Sequence, residues 1–207
     1  MQLLIKTLAV GPLATNCYIV GDEESKEGLI VDPAAEGARI LAEVGRLGLR
    51  IVYIVDTHGH LDHILANDEV RRATGAPLLI GAGDALNLAH PDPVFVRWLG
   101  ISARFAPADR LVQGGESLPL GALTFRVLNT PGHTPGGISL YGEAAVFTGD
   151  ALFNQGVGRT DLPGGNWQQL EQSIKSVLFA LPDETAVYPG HGPATTIAFE
   201  KTGNPFL

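Results

Sequence analysis

The chain has one cysteine in its 207 residues, Cys17. That excludes internal disulfides and any thiolate metal cage, and it fits a reducing compartment. Cys17 lies in an apolar run, so its expected place is the core, as a small buried side chain. Charge is scarce and one-sided: charged residues make up 17% of the chain and the formal net charge is -8. No Lys/Arg cluster interrupts that acidity, so phosphate backbones are repelled and nucleic acid is excluded as an expected partner. Long apolar runs are missing as well. Met1-Gln2-Leu3-Leu4-Ile5-Lys6-Thr7-Leu8 is too short for a signal peptide or a membrane span, so the expectation is a cytoplasmic protein without a membrane partner. Hydrophobic residues, at 45%, place the chain in the ordinary globular class, and its length predicts one domain over residues 1–207.

What the sequence does have is a cluster: Thr57-His58-Gly59-His60-Leu61-Asp62-His63. It follows the apolar run Ile51–Val55, which reads as a strand. Three imidazoles and a carboxylate so close together would each need a hydrogen-bond partner in a core, and such clusters point to metal. The spacing differs from the helical His-Glu-x-x-His motif, so the ligands are expected from a turn after a strand.

Along the chain, residues 2–10 and 15–20 read as strands around a Gly11-Pro12 turn, and Gly28–Pro33 as a third strand after a loop at 21–25. Residues 36–48 read as a helix with Ile40, Leu41, Val44 and Leu47 on one face and Gly48 at its end. A helix over 64–74 and a strand over 77–80 follow. Residues 83–108 read as a flap or lid, with His90 as a solvated loop histidine. The second half resembles the first: a strand at 123–128 leads to Gly132-His133, a hairpin spans 138–141 and 144–150, a helix covers 167–180, and a strand at 186–188 ends at Gly190-His191-Gly192. Two similar β-rich halves, each covered by helices, predict two facing sheets. The missing strict alternation of strand and helix argues against a doubly wound parallel sheet.

Five of the six histidines, together with Asp150, thus fall just after predicted strands. His58, His60 and His133 can hold one ion, Asp62, His63 and His191 a second, and Asp150 can bridge them, as in two-metal hydrolytic sites. This nitrogen- and oxygen-rich set suits zinc, iron or manganese. Asp32 ends a strand in the half that mirrors Asp150 and can either orient a metal-bound histidine or form a turn before Pro33. Arg159, in a Gly-rich loop, can contact a substrate carboxylate or pin its own loop.

The motifs His58-Gly59-His60-Leu61-Asp62-His63, Gly132-His133-Thr134, Thr148-Gly149-Asp150 and Gly190-His191-Gly192 resemble those of the metallo-β-lactamase superfamily. With Gly158–Gly165 added, the chain resembles the glyoxalase II (hydroxyacylglutathione hydrolase) group in a short form. The resemblance implies an α/β four-layer αββα sandwich, the seven-ligand dinuclear site above, and catalytic roles for Asp62 and Asp150. The implied activity is thioester hydrolysis by a metal-bridging hydroxide on a small-molecule thioester such as S-lactoylglutathione. The sequence stops soon after the His191 loop, so the helical C-terminal domain of longer members, with its glutathione contacts, is not part of the expectation. Persulfide dioxygenases share Gly158-Arg159-Thr160-Asp161 and form the main alternative, with a single iron on His58, His133 and Asp150. Another hydrolase of the same fold is the next, and an inactive metal-stabilised scaffold the last.

Overall fold

A computed structural model describes residues 2–91, 96–97 and 105–207. Strands β1 (Leu3–Val10), β2 (Thr15–Asp22), β3 (Glu27–Val31), β4 (Arg50–Asp56), β5 (Leu78–Gly81) and β6 (Arg110–Val112) form one sheet in that order. The second sheet has the order β14-β13-β10-β9-β8-β7. Its strands are β7 (Ser117–Leu120), β8 (Leu123–Asn129), β9 (Ile138–Gly142), β10 (Ala145–Gly149), β13 (Ala186–Pro189) and β14 (Thr195–Thr196). A two-stranded ribbon, β11 (Leu152–Phe153) with β12 (Gly156–Val157), stands apart. The sheets are mixed: β1 to β3 pair antiparallel, β3 to β6 parallel, and β10 runs parallel to β13.

The layering follows from side-chain alternation along strands buried on both faces. Cys17, Ile19, Ile30, Ile54, Leu78 and Ile80 point to one side of the first sheet, under Ile40 and Val44 of helix α1 (Gly37–Leu47) and Val70 of helix α3 (Asn67–Thr74). Their neighbours Tyr18, Val20, Leu29, Val31, Val55 and Leu79 point to the other side and meet Phe125, Val127, Leu140 and Phe147 of the second sheet. Behind that sheet, Val146 and Val187 pack on Leu170, Ile174 and Leu178 of the helical segment 167–178 and on Ile197 of the helix Ile197–Gly203. Three apolar layers therefore separate four structural layers, helix-sheet-sheet-helix. Cys17 is fully buried, as its setting predicts.

Several elements differ from expectation. The helix expected over 64–74 is two: α2 (Leu61–Ile64), then α3 after a turn at 65–66. Asp62 and His63 therefore sit on a helical turn, and only His58 and His60 come from the loop after β4. Helix 167–180 begins as Trp167–Ser173, capped by the Asn166 side chain, and finishes as a wider π-type turn over Ile174–Leu178. Strands β6, β7, β11, β12 and β14 and the helix Ile197–Gly203 were not expected; most are too short to carry a periodic signal. Of the segment 83–108 expected as a flap, the part up to 91 is a 3-10 turn and a short helix α4 (Ala85–Ala89), with His90 exposed at its end. Residues 92–95 and 98–104 of that flap lie outside the described residues. Among the described residues no helix is long and apolar enough to cross a membrane.

Candidate metal centre

The site lies where strand ends of the two sheets meet. Strand β4 delivers His58 and His60, and α2 turns Asp62 and His63 back towards them. Strand β8 leads to the His133 loop, β10 to Asp150, and β13 to His191. The sheets are tied together here by backbone bonds, Asn16 N–H to Gly190 C=O at 2.7 Å and Ile138 N–H to Thr57 C=O at 2.9 Å. Two glycines make room. A Cβ at Gly190 would lie 2.2 Å from Asp150 Oδ1, and one at Gly158 would lie 2.9 Å from His133 Nδ1.

All seven side chains expected as ligands come together. His58, His60 and His133 form one group whose donor atoms lie within 4.8 Å of each other, and Asp62, His63 and His191 form a second such group. Asp150 stands between them. Its Oδ1 is 3.4 Å from His63 Nε2, and its Oδ2 is 3.5 Å from His133 Nε2 and 3.7 Å from His191 Nε2. His58 Nε2, His63 Nε2 and Asp150 Oδ1 are buried with no hydrogen-bond partner. Buried polar atoms are normally paired, so three converging orphans mark a place built for a cation. The donor set, imidazole and carboxylate without thiolate, fits zinc, iron or manganese.

Partners behind the seven fix their rings. Asp32 Oδ2 lies 2.9 Å from His63 Nδ1, and the same carboxylate accepts from the Thr57 N–H at 2.7 Å and the Thr57 hydroxyl at 2.8 Å. Asp32 adopts φ 49°, a left-handed conformation that turns the chain sharply at the end of β3. Thr57 Oγ1 is in turn 3.0 Å from His58 Nδ1. The Arg159 carbonyl lies 2.7 Å from His133 Nδ1. The Arg159 guanidinium forms a bidentate, exposed pair with Asp161, both bonds 2.7 Å. Arg159 thus holds His133 with its backbone, while its side chain is engaged in its own loop.

The electrostatics divide the site. Burial pushes the His58 pKa well below its ordinary value, and burial with the neighbouring His133 takes His60 down to about 4. Both shifts favour the neutral form of the ring, the form that can ligate a metal. For His63 burial acts downward too, but Asp150 and Asp32 outweigh it and raise the pKa well above normal. For His191 burial is again the largest single effect and acts downward, but the bond to Asp62 and the charges of Asp150 and Asp62 together outweigh it and raise the pKa. Burial would raise Asp62 and Asp150; the histidine charges beside them prevail and hold both below the usual carboxylate range. Without a metal, protons gather where the carboxylates demand positive charge.

Other contributors carry no metal-ligand spacing. Asn16 donates to the carbonyls of Pro189 at 3.0 Å and Gly192 at 2.8 Å, and the Tyr18 hydroxyl donates to Pro189 at 2.6 Å; together they grip the His191 loop. Thr15 Oγ1 lies 3.4 Å from Asp62 Oδ2. Asp84, fully buried, accepts from the Gly59 N–H at 2.8 Å and the Gly136 N–H at 2.7 Å. For Thr15, Asn16 and Tyr18 the sequence signal is a polar side chain inside or at the end of an apolar strand; Asp84, in the turn after β5, carries none.

Comparison with known proteins agrees with this geometry. A family model described as the metallo-beta-lactamase superfamily matches residues 10–191. Among curated proteins, the hydroxyacylglutathione hydrolase GloC of Haemophilus influenzae is 35% identical over 207 residues, covering 98% of this chain and 97% of its own length. Among solved structures, the B3 metallo-beta-lactamase BLEG-1 is 40% identical, with a TM-score of 0.91 and 99% of each chain covered. ETHE1 from Myxococcus xanthus is 38% identical, with a TM-score of 0.82 over 98% of this chain and 83% of its own. TTHA1623, solved in a di-iron-bound form, is 36% identical, with a TM-score of 0.86 over 98% of this chain and 100% of its own.

Proposed function

This chain belongs to the metallo-β-lactamase superfamily, and on that premise we propose that it is a metal-dependent thioester hydrolase acting on S-lactoylglutathione or related 2-hydroxyacyl thioesters. The observation that carries the reading is Asp150. Its carboxylate lies between the two three-ligand groups, Oδ1 near His63 and Oδ2 near both His133 and His191, so two divalent ions, zinc or iron, would be held by His58/His60/His133 and Asp62/His63/His191 with Asp150 shared. The di-iron form of TTHA1623 supports that number. When bound, the pair supplies Lewis acidity for a water nucleophile and for the thioester carbonyl.

The chain's own groups do the remaining work. Asp62, whose Oδ2 is 3.4 Å from both Thr15 Oγ1 and His191 Nε2, would double as metal ligand and orienter of the attacking water. Asp150 holds the two ligand groups at a fixed separation. Asp32, Thr57 and the Arg159 carbonyl set the ring orientations of His63, His58 and His133. A thiolate leaves readily, since thiol pKa values lie near 8.5, so no strong general acid is needed. GloC, matched over 97% of its length, supports hydroxyacylglutathione as the substrate class.

A second reading is a persulfide dioxygenase with one iron. The set expected for it is His58, His133 and Asp150; the set grouped within ligand distance is instead His58, His63 and Asp150, also two histidines and one carboxylate suited to iron(II), and the likeness to ETHE1 favours the same reading. One paired assay separates the two. Thiol release from S-lactoylglutathione is followed beside oxygen uptake with glutathione persulfide, using zinc- and iron-loaded protein, with a chromogenic β-lactam as a third substrate because of BLEG-1. Thiol release is expected. Oxygen uptake by the iron form without thiol release would install the dioxygenase, and turnover of the β-lactam alone would install a lactamase.

A further inference from the structure

Asp84 is a fully buried carboxylate outside the seven-ligand set. It begins α4, yet its side chain makes no capping bond to that helix. Its strong acceptors are turned elsewhere. Oδ2 takes the N–H of Gly59, between His58 and His60, and Oδ1 takes the N–H of Gly136, three residues after His133. The third contact, from the Asn87 side chain, is long at 3.5 Å. One carboxylate therefore straddles the two loops that carry the first ligand group.

The glycines around it fit a built strut. A Cβ at Gly136 would lie 2.1 Å from the Asp84 nitrogen, one at Gly81 would lie 2.0 Å from the Gly136 carbonyl oxygen, and one at Gly83 would lie 2.8 Å from the Gly136 nitrogen. One at Gly59 would lie 2.8 Å from Asn87 Cβ. Backbone meets backbone at Gly81, Gly83 and Gly136, and at Gly59 the loop packs against the Asn87 side chain, with the Leu88 nitrogen 3.0 Å from where a Cβ would lie; only glycine allows so close an approach. The result is a short span across which His60 Nδ1 and His133 Nε2 stand 2.9 Å apart. Bonds from backbone N–H groups to a buried carboxylate are short and charge-assisted, so they resist stretching.

We infer that Asp84 is the positioning residue of the first metal group, setting the separation between the His58/His60 loop and the His133 loop. This rests on the two-ion reading above. The test is zinc binding to metal-free protein against a competing chelator, with the histidine side-chain nitrogens followed by NMR. Asp84→Asn keeps the shape and one acceptor but turns an amide N–H₂ towards one of the two backbone donors. Zinc affinity at His58/His60/His133 is expected to fall about 10- to 100-fold, the usual effect of losing a group that orients a ligand. The His60 and His133 signals should change, while His191 and its site keep wild-type affinity. Glu200→Gln is the control: Glu200 is also buried and bonded to a backbone N–H, that of Gln155, but it supports the C-terminal helix. It should lower stability and leave zinc binding unchanged. Wild-type affinity in Asp84→Asn, or equal weakening of both sites in both variants, would overturn the proposal. A wild-type protein that binds a single zinc would refute the two-ion reading, and the His60 and His133 signals of Asp84→Asn, changed or unchanged, would still support or overturn the role of Asp84. A second measurement needs no variant. Hydrogen exchange in metal-free wild-type protein should find the Gly59 and Gly136 amides both protected, and exchange at open-loop rates would overturn the strut.

Discussion

Replacing Gly190 by alanine perturbs the site by one methyl group. The added Cβ would lie 2.2 Å from Asp150 Oδ1 and 2.8 Å from His63 Cε1, whereas ordinary contact begins at 3.4 Å. The Asp150 carboxylate must therefore retreat by about 1.2 Å, and the His63 ring by about half that. Asp150 is the carboxylate that lies between both groups, so its displacement should loosen both ions of the proposed pair. Misplacing a ligand on this scale costs roughly 10- to 100-fold in metal affinity, and a shift of about 1 Å in a reacting constellation costs on the order of 100-fold in rate. Gly190 does not have a positive φ, so the backbone itself tolerates alanine. Overpacking should lower stability by roughly 1–3 kcal/mol. Gly192→Ala separates the two effects: it strains a left-handed backbone at φ 78° but meets no atom within 4 Å. The assay is metal content after equilibrium dialysis at a fixed free zinc concentration, with thermal melts of the metal-free proteins. Gly190→Ala should emerge depleted and Gly192→Ala loaded. Full loading of Gly190→Ala, with wild-type affinity, would refute the claim that Asp150 would hold metal at this site.

Three further outcomes follow from the geometry. Asp32→Asn puts an amide beside His63 Nδ1 and the Thr57 donors; a zinc titration should show affinity about 10- to 100-fold weaker, with the protein still folded. Phe147→Ala removes a fully buried ring between the sheets and should cost about 3–5 kcal/mol in denaturant unfolding while leaving metal stoichiometry unchanged. Asp22 accepts the Ala122 and Glu24 N–H groups, which hold its pKa below the ordinary 3.8. Its contribution is present above 3.8 and is lost as the pH falls through the lower folded value, so the stability gap between wild type and Asp22→Asn should narrow on acidification, as melts from pH 6 to 2.5 would show.

The sandwich was legible because its strands are buried on both faces. Runs such as Asn16–Val20, Leu29–Val31 and Leu78–Ile80 read as strands from their apolar content and the turn residues around them. The sites were legible because histidine and aspartate recur at strand ends, where a side chain can leave a sheet without disturbing it. The break between α2 and α3 was not, since Leu65 and Ala66 are good helix formers and only the tertiary demand on Asp62 and His63 turns the chain there. Ribbon β11–β12 has two residues per strand, below any period. Asp84 stayed hidden for another reason: its partners are backbone N–H groups of Gly59 and Gly136, which leave no mark in side-chain spacing. Arg159 drew notice for its guanidinium, yet its contact with the site runs through its carbonyl oxygen.

The most direct test of the central claim is thiol release from S-lactoylglutathione as metal-free protein is titrated with zinc. Activity that rises to a plateau at two equivalents is the predicted result. A plateau at one equivalent, or two tightly bound ions with no thiol release, would contradict it.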